Sequence, residues 1–137
     1  MEKVYVISYK RTPIGKFGKS LAGVPAPELG SRAVSAVVAD SGLRPSNIQE
    51  VIMGNVIGAG VGQNPAGQAS TLAGLPDGVI KYTVNTVCAS GMLAVESGSR
   101  EIMLGEKDVV VAGGMESMSG TPLLMPSYTR WGSEAAS

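Results

Sequence analysis

The spacing of apolar and polar positions changes period several times along the chain. Residues 4–9, Val4-Tyr5-Val6-Ile7-Ser8-Tyr9, are a β-branched and aromatic run that predicts a first strand. Residues 10–27 are interrupted by Pro13, Gly15, Gly18, Gly23, Pro25 and Pro27, and predict a loop. Pro27 suits the first position of a helix, with Glu28 favourable in its first turn. Leu29, Ala33, Val34, Val37 and Val38 then share one helical face, and Gly42 supplies the stop. Ser46 suits the cap of a single helical turn. Residues 50–57 read as a second strand, followed by the glycine loop Gly58-Ala59-Gly60-Val61-Gly62. Asn64 and Pro65 signal a short helix that Gly74 ends. A third strand is predicted over 80–85. Residues 89–104 then carry Met92, Leu93, Val95, Ile102 and Met103 at helical spacing, closed by Gly105. Residues 108–112 read as a fourth strand running into Gly113-Gly114. Beyond Glu116 no period persists.

Strands that alternate with helices imply an α/β fold, with a mostly parallel sheet flanked by helices. The runs Val79-Ile80 and Val109-Val110-Val111-Ala112 fit strands buried on both faces. Residues 1–115 are expected to form one α/β domain. The stretch 116–137 is long for a structureless segment of a compact domain. It is expected to be the start of a loop domain or a truncated tail.

Composition narrows the function classes. The 11 basic and 11 acidic residues cancel, and aromatics make up only 4% of the chain. Nucleic-acid binding therefore lacks both a basic footprint and stacking surfaces. No apolar stretch reaches the roughly 18 residues of a membrane span, so no membrane partner is expected. A single cysteine cannot form an intrachain disulfide, and no signal peptide is read at the N-terminus. Both features lead to the expectation of a cytoplasmic protein. The 19 glycines lie at apparent element ends rather than in a repeat, and so predict tight turns.

The chemistry centres on Cys88, the only cysteine in a chain without histidine. It lies in Val84-Asn85-Thr86-Val87-Cys88-Ala89-Ser90-Gly91-Met92, where the third strand gives way to a helix. A helix N-terminus favours a thiolate, which is the nucleophilic form of cysteine. A parallel sheet also places its strands' C-terminal ends beside the ligand crevice. The small residues Ala89, Ser90 and Gly91 leave room for a substrate. The competing reading is a buried, inert thiol serving as a small hydrophobe.

Other motifs point less far. Gly58-Ala59-Gly60-Val61-Gly62 departs from the dinucleotide fingerprint, because Gln63 stands where the third glycine belongs. Gly18-Lys19-Ser20 is half of a P-loop, but Pro13 replaces its first glycine and no helix pattern follows. Arg11, Thr12, Asn55, Gln63 and Asn64 suit capping and turn chemistry. Glu116 is read as an exposed or capping carboxylate, with orientation of the site as the alternative. Met92, Met103, Met115, Met118 and Met125 are expected to fill the core. One cysteine, no histidine and scattered acids assemble no metal site.

The ordered segments Arg11-Thr12-Pro13-Ile14-Gly15-Lys16-Phe17-Gly18, Val51-Ile52-Met53-Gly54-Asn55-Val56, Gly62-Gln63-Asn64-Pro65-Ala66, Val84 to Gly91 and Val109 to Met118 resemble the N-terminal part of thiolases of the acetyl-CoA C-acetyltransferase type. The resemblance runs from Val4 to about Trp131. It implies that Cys88 is the catalytic nucleophile, taking an acyl group from an acyl-CoA, with its own backbone N–H as one oxyanion donor. A second acetyl-CoA, deprotonated at its α-carbon, would attack that acyl-enzyme in a Claisen condensation, or the reverse thiolysis would occur. It implies no cofactor, coenzyme A thioesters being substrates. It also suggests strand order 3-2-1-4 and a homodimer or tetramer formed through the edge strand over 79–85. The histidine, second cysteine and further oxyanion donors of such enzymes lie in motifs beyond the matched region. Gly67 and Thr86 depart from the family, where many members carry a basic residue at each place. The chain alone is therefore expected to be catalytically incomplete, and the missing remainder of the enzyme is an expected partner. The alternative is a non-catalytic assembly or binding module.

Overall fold

A computed structural model describes residues 1–132. The expected tail is thus described only over 116–132; its last five residues lie outside the described residues. Within 116–132 the chain is mostly exposed and makes two short 3-10 turns, Met118–Gly120 and Ser127–Trp131.

The elements in order are α1 (Ala26–Ser41), β1 (Glu50–Gly54), α2 (Pro65–Leu72), β2 (Ile80–Val84), α3 (Ser90–Met103) and β3 (Val110–Gly114). In α1, Ala26, Pro27, Gly30, Ser31, Val34 and Val38 are buried, a spacing that keeps one face inward. Gly42 ends the helix at φ 75°, a left-handed value that glycine adopts without Cβ strain. In α2, Asn64 caps the first turn, its Oδ1 accepting from Gly67 N at 3.3 Å.

The three strands form one parallel sheet in the order β2-β1-β3. Glu50 of β1 aligns with Ile80 of β2 on one side and Val110 of β3 on the other. The central strand β1 is buried along its whole length. Successive side chains point to opposite faces. Val51 and Met53 meet Val34, Val38, Ala66 and Ala69 of α1 and α2. On the other face, α3 covers β1 and β3. Gly98 permits this contact, since a Cβ there would stand 2.8 Å from Val110 Cγ1 and 3.7 Å from Ile52 Cδ1. The result is a three-layer α/β/α arrangement, as the alternating pattern implies.

One expected element is corrected. Residues 4–9 form no strand, and the order 3-2-1-4 is replaced by one in which the second predicted strand pairs directly with the third and the fourth. Tyr5, Val6, Ile7 and Tyr9 are exposed. The segment is held only near its ends. Glu2 N donates to Met103 O at 3.1 Å, and Ser8 Oγ donates to Asp40 at 2.6 Å. Lys10 pairs with Asp40 at 2.7 Å. The Lys10 ammonium and the Ser8 hydroxyl hold the Asp40 carboxyl below the usual carboxylate range. A β-branched run fixes extended backbone but not a pairing partner, and β3 ends the sheet before this segment is reached. The strand over 79–85 does lie at a sheet edge, as expected.

The methionines are also corrected in part. Met115 is buried, but Met92, Met118 and Met125 are exposed. Helical spacing places Met92 on α3 but does not decide which face the sheet covers.

Candidate active site

The C-terminal ends of the three strands converge on the start of α3. β2 ends at Val84, and the chain turns through Asn85, Thr86, Val87, Cys88 and Ala89 before α3 begins at Ser90. Cys88 is exposed at this turn. The buried, inert alternative is therefore excluded.

The turn is tightly tied. Val87 N donates to Asn85 Oδ1 at 2.9 Å, and Asn85 Nδ2 donates to Val56 O at 3.1 Å. The buried Ser90 hydroxyl accepts from Thr86 N at 2.9 Å and donates to Val87 O. Ser90 N also donates to Val87 O, at 3.1 Å. Among the described residues Cys88 N–H has no protein acceptor. Val87 has φ 57°, a left-handed value rare for a β-branched residue. Such a conformation costs about 1–3 kcal/mol and persists only where its surroundings over-determine it. The bonds from Asn85 and Ser90 do so here.

Close packing fixes the turn against the sheet. A Cβ on Gly54 would stand 2.7 Å from the Ser90 carbonyl carbon and 2.8 Å from Gly91 N. A Cβ on Gly114 would stand 3.5 Å from Gly91 Cα. The glycines ending β1 and β3 thus let α3 begin directly on top of the sheet. The sequence shows these glycines as strand-end punctuation, but their pairing with Ser90 and Gly91 is a tertiary fact.

Glu116 is a half-buried clamp rather than an exposed carboxylate. It accepts from Val56 N at 2.8 Å, Ile57 N at 3.2 Å and Asn55 Nδ2 at 2.9 Å. Asn55 Nδ2 also donates to Met115 O at 3.2 Å. Together they tie the loop after β1 to the loop after β3, beside the Cys88 turn. Asn55 is buried, and its Oδ1 finds no partner among the described residues. The Asn55–Glu116 pair spans 61 residues, and no local pattern signals it.

The remaining motifs keep structural roles. The glycine loop 58–62 is held by Gln68 Nε2, which donates to Val61 O at 3.0 Å and Gln63 O at 2.8 Å. The first turn of α2 is occupied by Asn64 and by Thr83 Oγ1, which accepts from Ala66 N at 3.0 Å. Gly18-Lys19-Ser20 forms a turn without a following helix, and Gly18 N donates to Ser119 Oγ at 2.9 Å. Arg11 is exposed. Among the described residues no cluster of acids, Cys or His has the geometry of a metal site. No described helix is long and apolar enough to cross a membrane.

A layered α/β protein that lifts one exposed cysteine from a strand end onto a helix start defines a class, and the chain belongs to the thiolase family. The model of the thiolase N-terminal domain matches residues 4–137. A cytosolic acetyl-CoA acetyltransferase of Gibberella zeae is 52% identical over 124 residues, covering 90% of this chain and 31% of that protein. An acetyl-CoA acetyltransferase of Cupriavidus necator is 49% identical over 126 residues, covering 92% of this chain and 32% of that protein. Among solved structures, a thiolase of Ascaris suum in complex with coenzyme A superposes with a TM-score of 0.88 at 40% identity. That match covers 90% of this chain and 32% of the other. The chain thus spans about a third of the length of the relatives it matches.

Proposed function

We propose that this chain is the nucleophile-bearing N-terminal part of an acetyl-CoA acetyltransferase. The observation that carries the reading is the exposed Cys88, set on a strained and fully braced turn at the start of α3. In the proposed reaction Cys88 Sγ attacks the carbonyl carbon of an acyl-CoA thioester. The carbonyl π electrons move onto oxygen, where the free Cys88 N–H is available as one donor. Collapse expels the coenzyme A thiolate, which takes a proton, and leaves an acyl thioester on Cys88. An acetyl-CoA carbanion then attacks that thioester and forms the carbon–carbon bond, and the Cys88 thiolate leaves. Thiolysis is the same path reversed.

The chain contains no histidine, so the acid/base steps need groups from elsewhere in the enzyme. The reading requires no metal and no cofactor, since the electron flow is that of acyl transfer. Localisation in the cytosol accords with the Gibberella zeae relative, whose name carries that word. Self-association belongs to the same proposal. β2 leaves one ladder edge free, and exposed Ile80, Val87 and Met92 lie on or near it. A two-fold dimer would cover that edge. Sedimentation at micromolar concentration is expected to show a dimer or larger species; a monodisperse monomer would remove this part of the reading.

Two assays test the catalytic reading. The purified chain alone is expected to give no turnover of acetoacetyl-CoA with coenzyme A. Co-expressed with the remaining two-thirds of the Cupriavidus necator relative, it is expected to restore thiolysis. Cys88→Ser should then lower the rate about a thousandfold or more. Turnover that survives Cys88→Ser would refute the assigned role.

A further inference from the structure

The Glu116 clamp reaches the Cys88 turn through an unbroken series of hydrogen bonds. Its first joint is Val56, whose N donates to Glu116 Oε2 at 2.8 Å. The second is the carbonyl of the same residue, as Val56 O accepts from Asn85 Nδ2 at 3.1 Å. The third is Asn85 itself, whose Oδ1 accepts from Val87 N at 2.9 Å. The far end of the series is anchored. Glu116 Oε1 accepts from Asn55 Nδ2 at 2.9 Å and from Ile57 N at 3.2 Å, and the buried Asn55 donates its own N to Val84 O at 3.1 Å. Three donors converge on one side chain, which suits a carboxylate, a group that only accepts.

The series ends on the strained residue before Cys88. The N–H of Val87 is held by Asn85, and its C=O is held by Ser90 N at 3.1 Å and by Ser90 Oγ. Both ends of the rotation that gives φ 57° are thus pinned. The C=O of Val87 and the N–H of Cys88 belong to one peptide plane, and in a trans peptide they point in opposite directions. Cys88 N–H therefore points away from Ser90, and it has no protein acceptor among the described residues.

We propose that Glu116 is a positioning residue for the oxyanion donor. Acting through Val56 and Asn85, it aims Cys88 N–H at the carbonyl oxygen of the acyl group that Cys88 receives. This rests on the reading of Cys88 as the acyl acceptor. An oxyanion donor acts only at hydrogen-bond distance from the oxygen as its charge develops. A displaced Val56 should therefore slow acyl transfer to Cys88, but not displacement at a saturated carbon, where no oxyanion forms.

Two reagents separate these reactions on the purified chain. With p-nitrophenyl acetate, the Cys88 thiolate adds to the carbonyl carbon, the π pair moves onto oxygen, and collapse expels p-nitrophenolate and leaves an acetyl thioester. With iodoacetamide, the sulfur displaces iodide directly. Both rates scale with the same thiolate fraction, so their ratio cancels any change in thiol pKa. Each rate is read as modification of the peptide containing Cys88, and the ratio is referred to that of N-acetylcysteine amide. In the unaltered chain the ratio should exceed that of the free thiol. Glu116→Gln keeps the side chain's shape. Its oxygen can serve the two donors at the Oε1 position, which leaves its amide opposed to Val56 N–H. The ratio should fall about tenfold, with alkylation changed less than about twofold. Asn85→Ala cuts the last joint and should lower the ratio at least as far. The double variant should match Asn85→Ala, because both changes break one path. Urea unfolding shows which variants are folded, and the ratio of either folded single variant decides the outcome. A ratio left unchanged, acylation and alkylation falling together, or additive losses in the double variant would each overturn the positioning role. A ratio in the unaltered chain equal to that of the free thiol would remove the oxyanion role of Cys88 N–H, and the positioning role with it. A raised ratio that survives Glu116→Gln would defeat the positioning role alone.

Discussion

Two ends of the same sheet contrast sharply. At the strands' C-terminal ends, around Cys88, each backbone turn is answered by a side chain, and glycine replaces any residue whose Cβ would intrude. At the side edge beyond β3, an apolar segment lies exposed and, among the described residues, is unpaired and tied only by Glu2, Ser8 and Lys10. The first region is braced within this chain, and the second is unpaired among the described residues. The difference separates two contributions of this part of a thiolase. The turn that carries Cys88 is fixed by local bonds, while the sheet edge beyond β3 has no strand paired to it among the described residues. A strained residue such as Val87 survives at the corner because short contacts fix it, whereas a β-branched run at the edge has extended backbone but no ladder.

If that contrast holds, substitutions at the corner should cost far more than substitutions at the edge. The largest effect is expected for Gly54→Ala. Its new Cβ meets backbone atoms of Ser90 and Gly91 below 3 Å, and backbone cannot swing aside as a side chain can. A loss of about 3 kcal/mol is expected by urea unfolding, together with slower alkylation of Cys88. Ser90→Ala comes next. It strips Thr86 N of its acceptor in a part-buried hydrogen bond, at an expected cost of about 1.5 kcal/mol.

A smaller and opposite effect is expected at the far end of β1. Glu50 is buried, and its Oε2 has no partner among the described residues. Burial, then the nearby Glu101 carboxylate, pushes its carboxyl above the usual range. A group raised in the folded state costs stability as pH climbs through its folded value. Glu50→Gln should therefore stabilise the protein by about 1 kcal/mol at pH 7. The gain should vanish below the ordinary carboxylate range, which urea titrations at neutral and acid pH will show. The smallest effect belongs to the edge. Ile7→Ser should change the stability of the isolated chain by less than about 0.5 kcal/mol, because the side chain is already in water. A loss at Ile7 comparable to that at Gly54 would erase the contrast.

The sequence carried the corner better than the edge, for physical reasons. Helical periodicity located α1 and α3, apolar runs located three of the strands, and the Asn64-Pro65 start with the Gly74 stop located α2. The strand-to-helix switch at 84–90 singled out Cys88, since an abrupt change of period marks a turn. Residues 4–9 have every local mark of a strand, yet pairing depends on a neighbour that local pattern does not reveal. Glu116 escaped for the related reason that its partners Asn55, Val56 and Ile57 lie some 60 residues away. Met92 and Met118 show that helical spacing or apolar character alone does not assign a residue to the core.

The most direct measurement is the location of the acyl group during turnover. The chain, co-expressed with the remaining two-thirds of the Cupriavidus necator relative, is mixed with acetyl-CoA, quenched in acid and analysed by peptide mass spectrometry. One acetyl thioester on the peptide containing Cys88, discharged by added coenzyme A and absent together with turnover in Cys88→Ser, is the predicted result. Turnover with Cys88 unmodified, or an acetyl group that forms on another residue and is discharged at the catalytic rate, would contradict it.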